Sequence, residues 1–211
     1  MTLAYEIQID QAQVADAVSL FEFVGGNTAD AIRIAINKAA PKVRTSASRA
    51  IREQVRLSAS YVNERLVVRK ATRARLNGAI STPSRGLLLS RFSTDSLIAG
   101  DKASWIKPPL IPRGGIKVKV KPDGGATFVA GGSDTAGNKP FYMILNGGKN
   151  LGIAARLSGS KKIKVFSGPS LSQVFNTVRG DVLPGAAAEY QHQLLDAMRY
   201  ILLKQYPSEA A

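Results

Sequence analysis

The sequence predicts an α+β fold: N-terminal helices including a long kinked basic helix, an antiparallel sheet of about five or six strands, and a C-terminal amphipathic helix. Three observations predict it. Apolar residues recur at helical spacing from Ala31 to Val55; short alternating segments separated by Gly and Pro turns fill residues 74–166; and a second helical stripe occupies 183–206. A chain of 211 residues that is 45% hydrophobic can bury one ordinary core. A single domain over 1–211 is expected, with loops or arms near 93–113 and 131–140.

Taken in order, residues 4–10 alternate Tyr5, Ile7 and Ile9 with Glu6, Gln8 and Asp10, the period of a half-buried strand. Over 11–24, Val14, Val18, Leu20, Phe21 and Val24 fall near helical spacing, and Gly25-Gly26 stops that helix. Asn27 or Thr28 then caps a longer helix whose Ala31, Ile34, Ala35, Ala39, Val43, Ala47, Ile51 and Val55 form one apolar stripe. Pro41 lies inside it and should kink it without ending it. Ser58 and Ser60 mark a break, after which a further basic helix runs to about Ala71, with Ser60 and Glu64 near capping-box spacing.

The chain then turns to β structure. Strands are expected over 74–82 and 86–92 around a Pro83-Ser84 turn. The clearest is 115–121, where Ile116, Val118 and Val120 alternate with Lys117, Lys119 and Lys121. Pro122-Asp123-Gly124-Gly125 turns that strand into 126–130. Three more short strands follow over 141–145, 152–156 and 163–166. Gly168-Pro169-Ser170 reads as a turn and helix start. Helices over 170–177 and 183–206 close the chain, the second with Ala187, Tyr190, Leu194, Leu195, Met198, Ile201 and Leu202 on one face.

Charge and composition narrow the function. Twenty-nine Lys and Arg against 15 Asp and Glu give a formal +14, which attracts polyanions: nucleic acid or an acidic protein surface. No segment approaches the roughly 20 apolar residues that span a bilayer, and the N-terminus lacks a signal pattern, so a soluble cytoplasmic product with no membrane partner is expected. With no cysteine, disulfides and thiolate metal sites are excluded, and assembly is the natural substitute for cross-links. Between Arg33 and Arg91, fourteen basic residues face only Glu53 and Glu64, so most of the charge is assigned to this segment. Arg49, Arg52 and Arg56, three and four apart, are expected on one helix face. Arginine predominates in the segment, and its forked donors suit oxyanions. The competing interpretation is a solvated helix face.

Enzyme chemistry finds little to work with. His192 is the lone histidine and sits in the last amphipathic helix, which suits a surface or interface residue better than a metal ligand. The loop from Gly132 to Lys139 resembles a phosphate-binding loop, but Asn138 precedes its lysine and no Ser or Thr follows. Asp95, Asp101, Asp123 and Asp134 all fall in loops or turns, without paired spacing for acid/base or two-metal work. No enzyme activity, cofactor or metal is expected.

Four stretches, in order, resemble one family. They are Ala35-Ile-Asn-Lys-Ala-Ala-Pro-Lys42 with the Arg-rich helix and Val67-Val-Arg-Lys-Ala-Thr-Arg-Ala-Arg-Leu76 after it; Leu87-Leu-Leu-Ser-Arg-Phe92; Lys164-Val-Phe-Ser-Gly-Pro-Ser-Leu-Ser-Gln-Val-Phe175; and 183–204 with Tyr190-Gln-His-Gln-Leu194 inside it. Together they are similar to the prophage minor tail protein Z family, the lambda-type tail-completion proteins. The resemblance spans about 31–204 and is weakest in the N-terminal strand and over 93–113. It implies a non-enzymatic virion protein that completes the head-proximal end of a phage tail for head-tail joining and DNA positioning. The implied partners are copies of itself in a ring, commonly six-fold, a tail terminator or tail tube protein, head connector proteins and terminal phage DNA. On this reading Arg49, Arg52, Arg56, Arg65, Arg69, Lys70, Arg73 and Arg75 would face DNA or an acidic neighbour, through phosphates rather than base edges. The alternative is a non-specific nucleic-acid-binding protein using the basic helix in solution. Tyr61 is the only aromatic between Phe23 and Phe92, which leaves that helix little with which to stack on bases. A hydrolase would need Asp95, Asp101 and Asp134 to converge.

Overall fold

In a computed structural model, residues 2–6, 15–23, 25, 27–94, 114–130, 135, 138–146 and 150–206 are described. They form an α+β structure of four helices and several small antiparallel sheets. The chain divides into two compact units: residues 1–51, 59–84 and 175–211 form the first, and 52–58 with 85–174 the second.

The first unit is built on long helices. β1 (Thr2–Glu6) and α1 (Ala15–Phe23) precede α2 (Thr28–Gln54), whose start is capped as expected: the Asp30 backbone N–H donates to Asn27 Oδ1 at 3.0 Å. Ala31, Ala35, Ala39, Val43, Ala47 and Ile51 are all buried along α2, and Pro41 is accommodated inside it on the exposed face. α3 (Ala59–Arg65) stops well short of the expected Ala71, because the β-branched pair Val67-Val68 opens β2 (Val67–Arg69) instead. β3 (Ala79–Pro83) lies between β1 and β2, pairing antiparallel with both; the expected strand over 74–82 therefore loses its first five residues to a turn.

The two expected C-terminal helices are one, α4 (Leu171–Gln205), with Pro184 inside it. Pro184, Gly180 and Gly185 are exposed, whereas Val178, Val182, Ala186, Tyr190, Leu194 and Met198 are buried at four-residue steps. A continuous apolar row thus outweighs the local breaker. Phe21, Ala31, Ala35, Ala39, Tyr190, Leu194, Ala197 and Met198 form one apolar cluster from α1, α2 and α4. Beside it Lys42 Nζ meets Glu189 Oε1 at 2.6 Å.

The second unit replaces the single sheet expected from the sequence with small ones. β4 (Gly86–Leu88) continues into a 3-10 turn (Leu89–Phe92) rather than a longer strand. β5 (Lys117–Val118) and β6 (Thr127–Phe128) make a two-stranded ribbon, much shorter than 115–121 and 126–130 predict. β7 (Phe141–Leu145), β8 (Asn150–Arg156) and β9 (Ile163–Val165) form a meander, and β10 (Ser167–Ser170) pairs with β4. Gly168-Pro169-Ser170 is thus a short irregular strand as well as a helix start. Ser170 Oγ accepts the Gln173 N–H at 3.1 Å while Gln173 Oε1 accepts the Ser170 N–H at 2.9 Å, a reciprocal cap for α4. A Cβ on Gly168 would stand 2.7 Å from Phe92 Cε2, so two of the sequence stretches singled out above meet in space at that glycine.

The tip of the first expected strand (residues 7–10), most of the loop over 93–113 including Trp105, and residues 131–134 and 136–137 of the glycine-rich loop lie outside the described residues.

Candidate polyanion-binding surfaces

Of the eight basic residues singled out by sequence, Arg52 and Arg56 belong to the second unit and the other six to the first. Arg49 and Arg52 lie on α2, exposed and half-buried respectively. Arg56 does not share their face, because α2 ends at Gln54: the Arg56 backbone N–H has left the helix and donates to Val120 C=O at 2.7 Å. Arg65 is committed to its own helix. Its guanidinium lies 3.6 Å from the centre of the Tyr61 ring, donates to Tyr61 C=O at 3.3 Å and pairs with Glu64 at 3.5 Å.

Arg69 ends β2, and Lys70, Arg73 and Arg75 follow it on an exposed turn in the first unit. Thr72 and Arg75 exchange backbone hydrogen bonds, Thr72 N–H to Arg75 C=O at 2.8 Å and the reverse at 3.1 Å, which places Arg73-Ala74 at the tip. The turn is pinned to α2. The Asn37 side chain donates to Ala71 C=O at 3.0 Å and accepts the Ala71 N–H at 2.8 Å, acting as a two-point clamp. Gly78, where the turn returns to β3, lies so close to α2 that a Cβ there would be 2.6 Å from Ile36 Cγ2. Arg73 also reaches Asp30 at 3.4 Å, and Arg33 holds the same carboxylate at 3.1 Å. The Arg33 hydrogen bond, helped by the Arg73 charge and opposed by partial burial, holds the Asp30 carboxyl below its ordinary value.

The second unit carries a basic group that the sequence reading did not assign. Its described residues include seven lysines and five arginines against two carboxylates, Glu53 and Asp123, whereas the first unit sets thirteen basic residues against eight carboxylates. Charge excess is therefore steeper where arginine is scarcer. Lys161, Lys162 and Lys164 crowd the turn and edge of the β8–β9 hairpin, and Lys117 lies in β5 with Lys119 just after it and Lys121 at the bend beyond. Counting carboxylates per segment would have found this excess; the meeting of Arg56 with Val120 had no signal in the sequence.

His192 is exposed on α4, with Nδ1 3.5 Å from Asp196 Oδ2. Among the described residues, no group of three His, Cys, Asp or Glu could hold a metal, and no helix is long and apolar enough to cross a membrane. Asp95, Asp101 and Asp134 lie outside the described residues. No protein-family model, no curated protein and no solved structure matches this chain.

Proposed function

We propose that the chain is a non-enzymatic structural protein of a tailed-bacteriophage virion, a tail-completion protein that acts as a ring at the head-proximal end of the tail. The observation that carries the reading is the ordered run of sequence stretches from Ala35 to Lys204 that resembles the minor tail protein Z family. Two of these stretches, Leu87–Phe92 and Lys164–Phe175, pack on each other through Gly168 and Phe92. Assembly into a ring suits a cysteine-free chain whose α4 leaves Leu195, Tyr200 and Leu203 exposed toward its C-terminal end, with Tyr206 exposed just after it. In such a ring the Arg69–Arg75 turn would meet terminal DNA or an acidic face of a neighbouring tail or connector protein.

Imaging purified virions of the encoding phage or induced prophage by cryo-electron microscopy tests the reading. A symmetric ring of this chain at the head-tail junction is the expected result. Absence of the chain from the particle would overturn it and leave a free nucleic-acid-binding protein as the better account.

A further inference from the structure

Residues 116–119 are flanked on both sides. Lys117 and Val118 pair with Phe128 and Thr127 of β6, while Ser93 bridges Val118 on the other side, with Thr94 N–H donating to Lys117 C=O at 3.0 Å and Lys119 N–H to Phe92 C=O at 2.7 Å. Edge protection is a common reason for lysines in strands, and it does not apply to a strand paired on both sides. Ile116 and Val118 are buried, so the alternation directs Lys117 to the opposite, outer face; Lys119, half-exposed, follows in the segment paired with Phe92, and Lys121 stands exposed at the bend beyond. Arg56 is brought to the far end of this row by its backbone hydrogen bond to Val120. At the near end stands Phe128, 61% exposed, its ring against Gly115 and 4.7 Å from Lys117 Nζ. Gly115 has a φ of +73° and no side chain, which leaves room for the ring to lie on the ribbon. Asp123, in the turn beyond Lys121, is the one carboxylate of this ribbon.

We propose that this ribbon, with Phe128 as a stacking platform and Lys117, Lys119, Lys121 and Arg56 as phosphate contacts, binds single-stranded nucleic acid without sequence preference. Extended backbone sets Lys117 and Lys119 about 7 Å apart, a step that suits successive phosphates of an extended strand. An exposed ring among cations fits a base face, and a base is free to stack on it only when it has left a duplex. An acidic peptide fits less well: the backbone of residues 116–119 is already paired on both sides and cannot accept an added strand. The surface lies wholly within the second unit, and the inference does not depend on the virion reading.

Fluorescence anisotropy on the full chain, using a labelled oligothymidylate and a duplex of equal length across a salt series, tests the proposal. Oligothymidylate should bind more tightly than duplex, with affinity falling as salt rises. Phe128→Ala should weaken it roughly tenfold with the salt slope unchanged, Phe128→Trp should restore it, and the pair Lys119→Gln and Lys121→Gln should lower the slope by about 1.4. Because Phe128 is largely exposed, its truncation should leave the far-ultraviolet circular dichroism intact, and that spectrum is the folding control for each variant. Equal or tighter binding of duplex, an unchanged affinity in folded Phe128→Ala, or no binding of oligothymidylate at low salt would each overturn the proposal.

Discussion

The turn carrying Arg69, Lys70, Arg73 and Arg75 and the ribbon carrying Lys117, Lys119 and Lys121 are both exposed and basic, yet they are held by different means. The turn depends on side chains: an asparagine amide on either side of Ala71, a carboxylate under Arg73, and a glycine that lets the chain approach α2. The ribbon depends on backbone pairing from three directions and on a buried layer beneath it. A surface fixed by side-chain contacts can be loosened one atom at a time, whereas one fixed by backbone pairing moves only when the core beneath it gives way.

The largest effect should therefore come from the core of the second unit. Tyr142 is fully buried on β7, and its hydroxyl lies 2.7 Å from Ser93 Oγ, in the segment that flanks the lysine row. Tyr142→Ala should cost about 4 kcal/mol through lost burial and the cavity left behind. Hydrogen exchange at the Thr94 and Lys119 amides should accelerate together, while that at Ala71 stays as in the unaltered chain. Equal acceleration at Ala71 would erase the distinction between the two surfaces.

A smaller and more local loss is expected at the clamp. Asn37→Ala removes both hydrogen bonds to Ala71 and leaves a half-buried backbone donor and acceptor to find water, at a cost of about 2 kcal/mol. Exchange at Ala71 should rise sharply, with Thr72 and Arg75 following as their turn frays, and the Lys119 amide should not change. If Ala71 remains protected, the amide is incidental and the turn is held by Gly78 and Asp30 alone.

These two surfaces also show where sequence reading succeeds and where it stops. The apolar stripe of α2 was legible because helical periodicity is a local property, and Ala31 to Ile51 obey it without interruption. The Asn27 cap was legible for the same reason. The break expected between residues 177 and 183 does not occur, because the row from Val178 to Met198 that carries the helix through it becomes decisive only when packed. Alternation correctly located Lys117 in a strand but gave no partner, so segments that belong to four small sheets were merged into one. The basic helix face failed by two residues. Val55 continues the apolar spacing, but the helix stops at Gln54, and the partner that takes the Arg56 N–H lies 64 positions later at Val120. Contacts at that separation leave no trace in periodicity or spacing.

The smallest effect should come from Asp30, the only carboxylate that the Arg73 tip engages among the described ion pairs. Arg33 and Arg73 depress its pKa below the ordinary 3.8, so the folded chain holds the ionised form more strongly than the unfolded chain does. That contribution is complete above the unfolded value and is lost as pH falls through the lower folded one; stability should fall with acid across that window because the unfolded state takes the proton first. Asp30→Asn should be less stable than the unaltered chain at neutral pH, should lose this part of the acid dependence, and should converge with it at the acid end. Arg73 is 83% exposed and its pair is correspondingly screened, so raising salt should shrink the difference at neutral pH. Denaturant midpoints measured against pH at low and high salt read both trends. A difference that persists unchanged in high salt would place the effect in the Asn27 cap and the first turn of α2 instead of in the arginine turn, and would leave Asn37 and Gly78 as its only anchors.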